Sequence, residues 1–114
     1  MAYSEPYDAL DEKTRDISRA ITSLREELEA IDWYNQRVAT SNDTSLKEVM
    51  AHNRDEEIEH AVMTIEWLRR NMDKWDDELK GYLFTSGSLL EVEEGGGDAS
   101  TKDDSLAIGD MKSK

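Results

Sequence analysis

The sequence predicts an all-α protein built as an antiparallel hairpin of two long helices followed by a short third one. Three observations carry that prediction. Glycine is absent before Gly81 and the single proline stands at position 6, so nothing in the first two-thirds interrupts a helix. Apolar residues there recur at alternating steps of four and three, the spacing of helices packed against near-parallel partners. One short polar stretch, Thr40-Ser41-Asn42-Asp43-Thr44, separates two such runs.

The first helix is expected from about Tyr7 to Ala39, with a seam of Ile17, Ile21, Leu24, Leu28 and Ile31 continued by Asn35 and Val38. The 40–44 stretch then supplies a turn and a cap. Ser45 followed by Glu48 fits a capping box, with Asp43 as a rival N-cap. A connection this short makes the helices antiparallel neighbours. The second helix, from roughly Ser45 to Asn71, carries two useful faces. One reads Leu46, Met50, Asn53, Glu57, His60, Thr64 and Trp67; the other reads Ile58, Val62 and Ile65, closed by Leu68 or Arg69. A two-helix hairpin cannot cover both, and polar groups in the middle of the first face need partners there. The third helix is expected over Asp73 to Phe84, with Trp75, Leu79, Tyr82 and Leu83 on one side and Gly81 weakening its last turn. Trp33, Trp67 and Met50 stand at helical spacing and read most simply as packing groups.

The chain is 114 residues long and 36% charged, so one small domain must stand on a modest core and association is the expected remedy. The formal charge of −13 repels nucleic acid and anionic lipid and attracts cations. With no cysteine, any metal must be held by oxygen and nitrogen. The start of the chain has neither a basic region nor an apolar run, and no stretch is apolar enough to span a bilayer, so a cytoplasmic chain with no membrane partner is expected.

Chemistry concentrates in Asn53-Arg54-Asp55-Glu56-Glu57-Ile58-Glu59-His60. On a helix, Glu57 and His60 share a face and can close on one metal ion. Di-iron carboxylate proteins use Glu-x-x-His twice in a four-helix bundle, with a further Glu from each of the other helices. This chain has the motif once, so it looks like half a site. Glu27 is the natural companion: it borders the apolar seam, about fourteen residues before the turn centre, as Glu57 lies about fifteen after it. Tyr34, seven residues after Glu27 on the same face, is placed to hydrogen-bond a ligand. Glu26 and Glu29 point elsewhere, as a solvated face or as a second acidic cluster that attracts cations. His52 reads as structural.

Four segments together resemble the encapsulated ferritins: Glu26-Glu27-Leu28-Glu29-Ala30-Ile31-Asp32-Trp33-Tyr34, His52-Asn53-Arg54-Asp55-Glu56-Glu57-Ile58-Glu59-His60, Glu66-Trp67-Leu68-Arg69-Arg70 and Tyr82-Leu83-Phe84-Thr85. The resemblance implies a protomer that dimerises into a ferritin-like four-helix bundle, with dimers arranged in a ring, commonly a decamer. It implies ferroxidase activity at a di-iron centre on the dimer interface, formed by Glu27, Glu57 and His60 of both chains, with Trp33 and Tyr34 nearby. It assigns Glu26 and Glu29 to a secondary entry-side metal site, where calcium or zinc are further candidates. It also implies carriage inside an encapsulin nanocompartment, where the iron mineralises.

The organisation expected is a helical half-bundle over 1–85, a flexible acidic linker over 86–104 with its Gly95-Gly96-Gly97 run, and a docking peptide over 105–114. That peptide resembles an encapsulin-targeting signal through Leu106, Ile108, Gly109 and Met111, with methionine where leucine is usual. Two other readings stand beside the ferroxidase: a non-catalytic metal-binding protein knitted by zinc or calcium, and a structural cargo module whose acidic helices only oligomerise.

Overall fold

The computed structural model describes residues 3–96, and every regular element among them is helical. The all-α expectation therefore holds for the described residues. They divide into two compact units, one ending at Asn71 and the other beginning at Met72.

The first unit is the hairpin. Helix α1 spans Glu12–Thr40 and helix α2 spans Thr44–Asn71, joined through Ser41, Asn42 and Asp43. Antiparallel packing is recorded by side-chain bonds along its length. Near the turn, Arg54 Nη1 donates to Asn35 Oδ1 at 3.0 Å. Midway, Thr64 Oγ1 donates to Glu27 Oε1 at 3.1 Å. At the open end, Lys13 Nζ donates to Asn71 Oδ1 and lies 5.8 Å from the centre of the Trp67 ring.

Capping sets the helix limits. The first helix starts later than its composition suggests, at Glu12 instead of about Tyr7. Pro6 opens a single 3-10 turn at Tyr7–Ala9, Leu10 is extended, and Asp11 then takes the N-cap position, its carboxylate accepting from the Thr14 amide at 2.8 Å. Arg15 fastens this leading turn by stacking 3.7 Å over the Tyr7 ring and donating to the Tyr7 carbonyl at 2.8 Å. At α2 the rival cap wins: Asp43 accepts from the Leu46 amide at 2.9 Å, so the helix begins at Thr44, one residue before Ser45 could cap it.

The core of this unit is narrow. Ile17, Leu24 and Ile31, seven residues apart, turn toward α2, while the alternate seam positions Ile21 and Leu28 stay exposed. From α2, Ala61 and Leu68 are buried at the same spacing, and Ile65 is half-buried beside them. Two cylinders touch along one stripe each, so only part of a heptad seam finds cover. The second face of α2 splits accordingly: Leu68 and Ile65 join the hairpin, whereas Ile58 is 42% exposed and Val62 59%. The result is a contiguous apolar strip on the open side of the hairpin, of the kind that marks an interaction surface.

The second unit contains α3, Asp73–Tyr82, tied by ion pairs from Lys74 to Glu78 and from Lys80 to Asp76. It ends earlier than Phe84, because Leu83 is extended and Phe84 sits at φ 64, in the left-handed region that usually takes glycine. Thr85 Oγ1 closes the turn by donating to the Tyr82 carbonyl at 2.6 Å. Within the stretch whose composition reads as linker, Ser88 caps a short helical turn at Leu89–Glu91 that continues over Val92–Gly96. Three apolar residues, Leu89, Leu90 and Val92, follow that cap and give it helical character which the flanking glycines and acids disguise.

Two outcomes test this account. Leu68 is fully enclosed; Leu68→Ala should cost about 2–5 kcal/mol in urea denaturation at fixed protein concentration. Glu66 accepts hydrogen bonds from Arg69 and Arg70, at 2.7 Å to Arg70 Nε, and these hold its carboxyl down from the usual 4.5 to about 2. A depressed folded-state value stabilises the fold above the unfolded value and loses that contribution as pH falls through the folded one. The stability difference between wild type and Glu66→Gln should thus be constant above about pH 5.5 and vanish toward pH 2, read by denaturation at a series of pH values.

Candidate metal centre

Glu57 and His60 lie one turn apart on α2, and the helix does for them what the spacing predicts. His60 Nδ1 stands 3.5 Å from Glu57 Oε1. Neither is sealed in: the side chain of Glu57 is 28% exposed and that of His60 45%. An imidazole and a carboxylate held this close, with solvent access, form a bidentate start for a cation with oxygen and nitrogen preferences.

Glu27 arrives from α1, but not at the level expected. Equal offsets from the turn place it opposite Glu57, yet its carboxylate is bonded by Thr64, at 3.1 Å to Oε1 and 3.4 Å to Oε2. Side-chain tilt accounts for the difference. Every Cα–Cβ bond leans toward the N-terminus of its own helix. In an antiparallel pair those leans oppose each other, so Glu27 reaches away from the turn while Glu57 and His60 reach toward it. Thr64, a full turn beyond His60, leans back to meet Glu27, and its Oγ1 also lies 3.1 Å from the His60 carbonyl. Within one chain, therefore, Glu27 is one turn removed from the Glu57–His60 pair. Among the described residues, no three His, Asp or Glu side chains of a single chain converge tightly enough to hold an ion.

The remaining candidates separate by environment. Tyr34 is half-buried and meets the Arg37 guanidinium, 5.6 Å from the ring centre; the group that bonds Glu27 is Thr64. Trp33 is 49% exposed and lines an open groove with Gln36, Arg37 and Thr40. Glu26 and Glu29 are both exposed on α1. Glu66 is committed to Arg69 and Arg70 and is withdrawn from metal chemistry. Leu106, Ile108, Gly109 and Met111 lie outside the described residues. Sequence reasoning places Thr64 on the inward face among polar groups that need partners and gives it no role at the site. Its signal was present as a hydroxyl at an inward position one turn after His60, but only the register of the hairpin reveals its partner.

Known proteins resemble this chain in sequence, and one solved structure resembles it in shape. A sequence model of the EncFtn-like family matches residues 2–86. A "Ferritin-like protein" of Thermotoga maritima is 53% identical over 92 residues, covering 81% of each chain. An "Encapsulated ferritin-like protein" of Rhodospirillum rubrum is 52% identical over 120 aligned positions, covering 95% of this chain and 86% of its own. The crystal structure of protein ne0167 from Nitrosomonas europaea superimposes with a TM-score of 0.76 at 56% identity, over 78% of this chain and 98% of that one. A helical hairpin presenting a Glu-x-x-His pair, matched in sequence over most of its length and in shape to a solved relative, leaves one assignment: the chain belongs to the EncFtn-like family.

Proposed function

We propose that the protein is a ferroxidase whose di-iron centre forms between two copies of the chain. The observation that carries this is the accessible Glu57–His60 pair, 3.5 Å apart, with the exposed apolar side chains of Met63 and Trp67 one and two turns further along the same side of α2. A second hairpin laid on that side covers Met63 and Trp67, adds to the core that one hairpin lacks and faces one Glu57–His60 pair with another. The shared site then draws on four carboxylates, from Glu27 and Glu57 of each copy, and two imidazoles. This donor set fits iron, since hard carboxylate oxygens bind iron(II), hold iron(III) better still and can bridge two ions. The names of the relatives from Thermotoga maritima and Rhodospirillum rubrum, ferritin-like in both and encapsulated in the second, support iron as the substrate.

Iron(II) enters as substrate and leaves as iron(III). Two iron(II) ions give up two electrons, and one dioxygen takes them with two protons to become hydrogen peroxide, or peroxide takes them to become water. The protein's part is to bring two like-charged ions together by surrounding them with anionic oxygen. The formal charge of −13 draws cations to the whole surface, and the exposed Glu26 and Glu29 on α1 are proposed as a secondary metal site on the approach, open to calcium or zinc as well as iron. Trp33 and Tyr34 flank the centre. Dimers are proposed to assemble further into a ring of ten chains.

The proposed organisation keeps a catalytic half-bundle over 1–85, a linker over 86–104 and an encapsulin-docking peptide over 105–114, with Leu106, Ile108 and Met111 as apolar contacts and Gly109 as the close-approach position. The oxidised iron is then stored within the shell, in the cytoplasm. No described helix is long and apolar enough to cross a membrane.

Three outcomes are expected. In air, wild type should raise the iron(III) absorbance well above a no-protein control, and Glu57→Ala should lose that gain while keeping its oligomeric mass. A wild type that takes up metal with no faster oxidation would favour the structural metal-binding reading. Acid should release metal, because protons compete for the His60 nitrogen; retention on acidification would remove the imidazole from the ligand set. Ending the chain before Ser105 should abolish co-purification with an encapsulin shell and leave oxidation intact, and equal co-purification of both forms would exclude docking through 105–114.

A further inference from the structure

We infer that Thr64 is a positioning residue for Glu27, holding its carboxylate across the gap between α1 and α2 at a fixed offset from His60. The inference rests on the metal-site reading above. Thr64 Oγ1 lies within 3.1 Å of both Glu27 Oε1 and the His60 carbonyl, and 3.4 Å from Glu27 Oε2. The hydroxyl has a single proton for these acceptors. The His60 carbonyl already accepts the Thr64 amide of the helix ladder, whereas the carboxylate carries full charge and forms the stronger bond, so the proton belongs to Glu27.

The place of the oxygen is set by the helix itself. Threonine in a helix has few rotamers, and one of them lays Oγ1 against the carbonyl four residues back. That carbonyl belongs to His60. Glu27 is thereby held at a fixed offset from a residue of the Glu57–His60 pair, across the gap between α1 and α2. The bond is part-buried, so water is a poor substitute for the hydroxyl. One hydrogen bond also leaves most of the lone-pair sites of the carboxylate open to a cation. Without the hydroxyl, Glu27 sits among Glu26 and Glu29 on an acidic stretch with several rotamers to choose from, and its orientation toward the site has to be found anew at each binding event.

The test is zinc(II) titration calorimetry of the full-length protein, with zinc as a redox-inert probe and Glu57→Ala defining the heat from sites elsewhere on the acidic surface. Thr64→Val keeps the shape and deletes the donor; Thr64→Ser keeps the donor and deletes a methyl. Thr64→Val should weaken the Glu57-dependent binding about 10–100-fold, and Thr64→Ser should stay within about threefold of wild type, with helicity and oligomeric mass unchanged in both. Val binding as tightly as wild type would overturn the role of Thr64 and leave the metal site standing. Ser binding as weakly as Val would overturn it too, by assigning the effect to packing of the methyl. A wild type with no zinc heat beyond that of Glu57→Ala would overturn the metal site and the positioning role together.

Discussion

A two-helix hairpin can bury one stripe of each helix and no more. Here that stripe closes over Leu24, Ala61 and Leu68, with half-buried Ile17, Ile31 and Ile65 around them. Everything else about the first unit follows from how little this is. Side chains as large as Leu28, Ile58, Val62 and Met63 remain more than two-fifths exposed, on a chain whose other surface is densely charged. So short a core offers little stability against the conformational entropy of ordering two long helices. The proposed pairing of two hairpins answers a thermodynamic need before it answers a chemical one, and exposed Met63 and Trp67 lie on the same side of α2 as His60.

The chemistry inherits the same geometry. Carboxylates at an inward face are costly unless bonded, and the hairpin satisfies its inward Glu27 with Thr64 instead of with a cation from a neighbouring lysine or arginine. The nearby arginines are occupied elsewhere: Arg54 with Asn35 and Asp55, Arg69 and Arg70 with Glu66. Salt bridges along α1 and α2 are otherwise between close neighbours on one helix, where each contributes little. The middle of the hairpin is thus left with negative charge and an imidazole, which is the electrostatic character a site for a divalent cation requires.

Much of this was legible in the residues. The absence of glycine before Gly81 and the four-three spacing gave two long helices, and the 40–44 stretch gave their antiparallel order. The Glu-x-x-His face followed from helix geometry alone. What the residues left open was anything that depends on competition between similar options. Pro6 and Asp11 moved the start of α1 to Glu12, because a good N-cap outweighs the helix-forming residues before it. Asp43 displaced Ser45 as the cap of α2 by accepting from the Leu46 amide. Counting residues from the turn placed Glu27 opposite Glu57, since a count locates Cα atoms and ignores the opposed lean of side chains. Likewise a heptad seam marks positions that could be covered, and only a partner decides that Leu24 is and Leu28 is not. Phe84 could not have been read as left-handed from a sequence in which glycine is the usual occupant of such a position.

The central claim is that a metal centre belongs to a pair of chains and not to one. Native mass spectrometry of the full-length protein, titrated with iron(II) under anaerobic conditions across a range of protein concentrations, tests it most directly. The account predicts that metal appears only on species with an even number of chains, two ions for each pair, and that dilution to single chains sheds the metal. Single chains that hold one ion each, with an affinity indifferent to protein concentration, would contradict it.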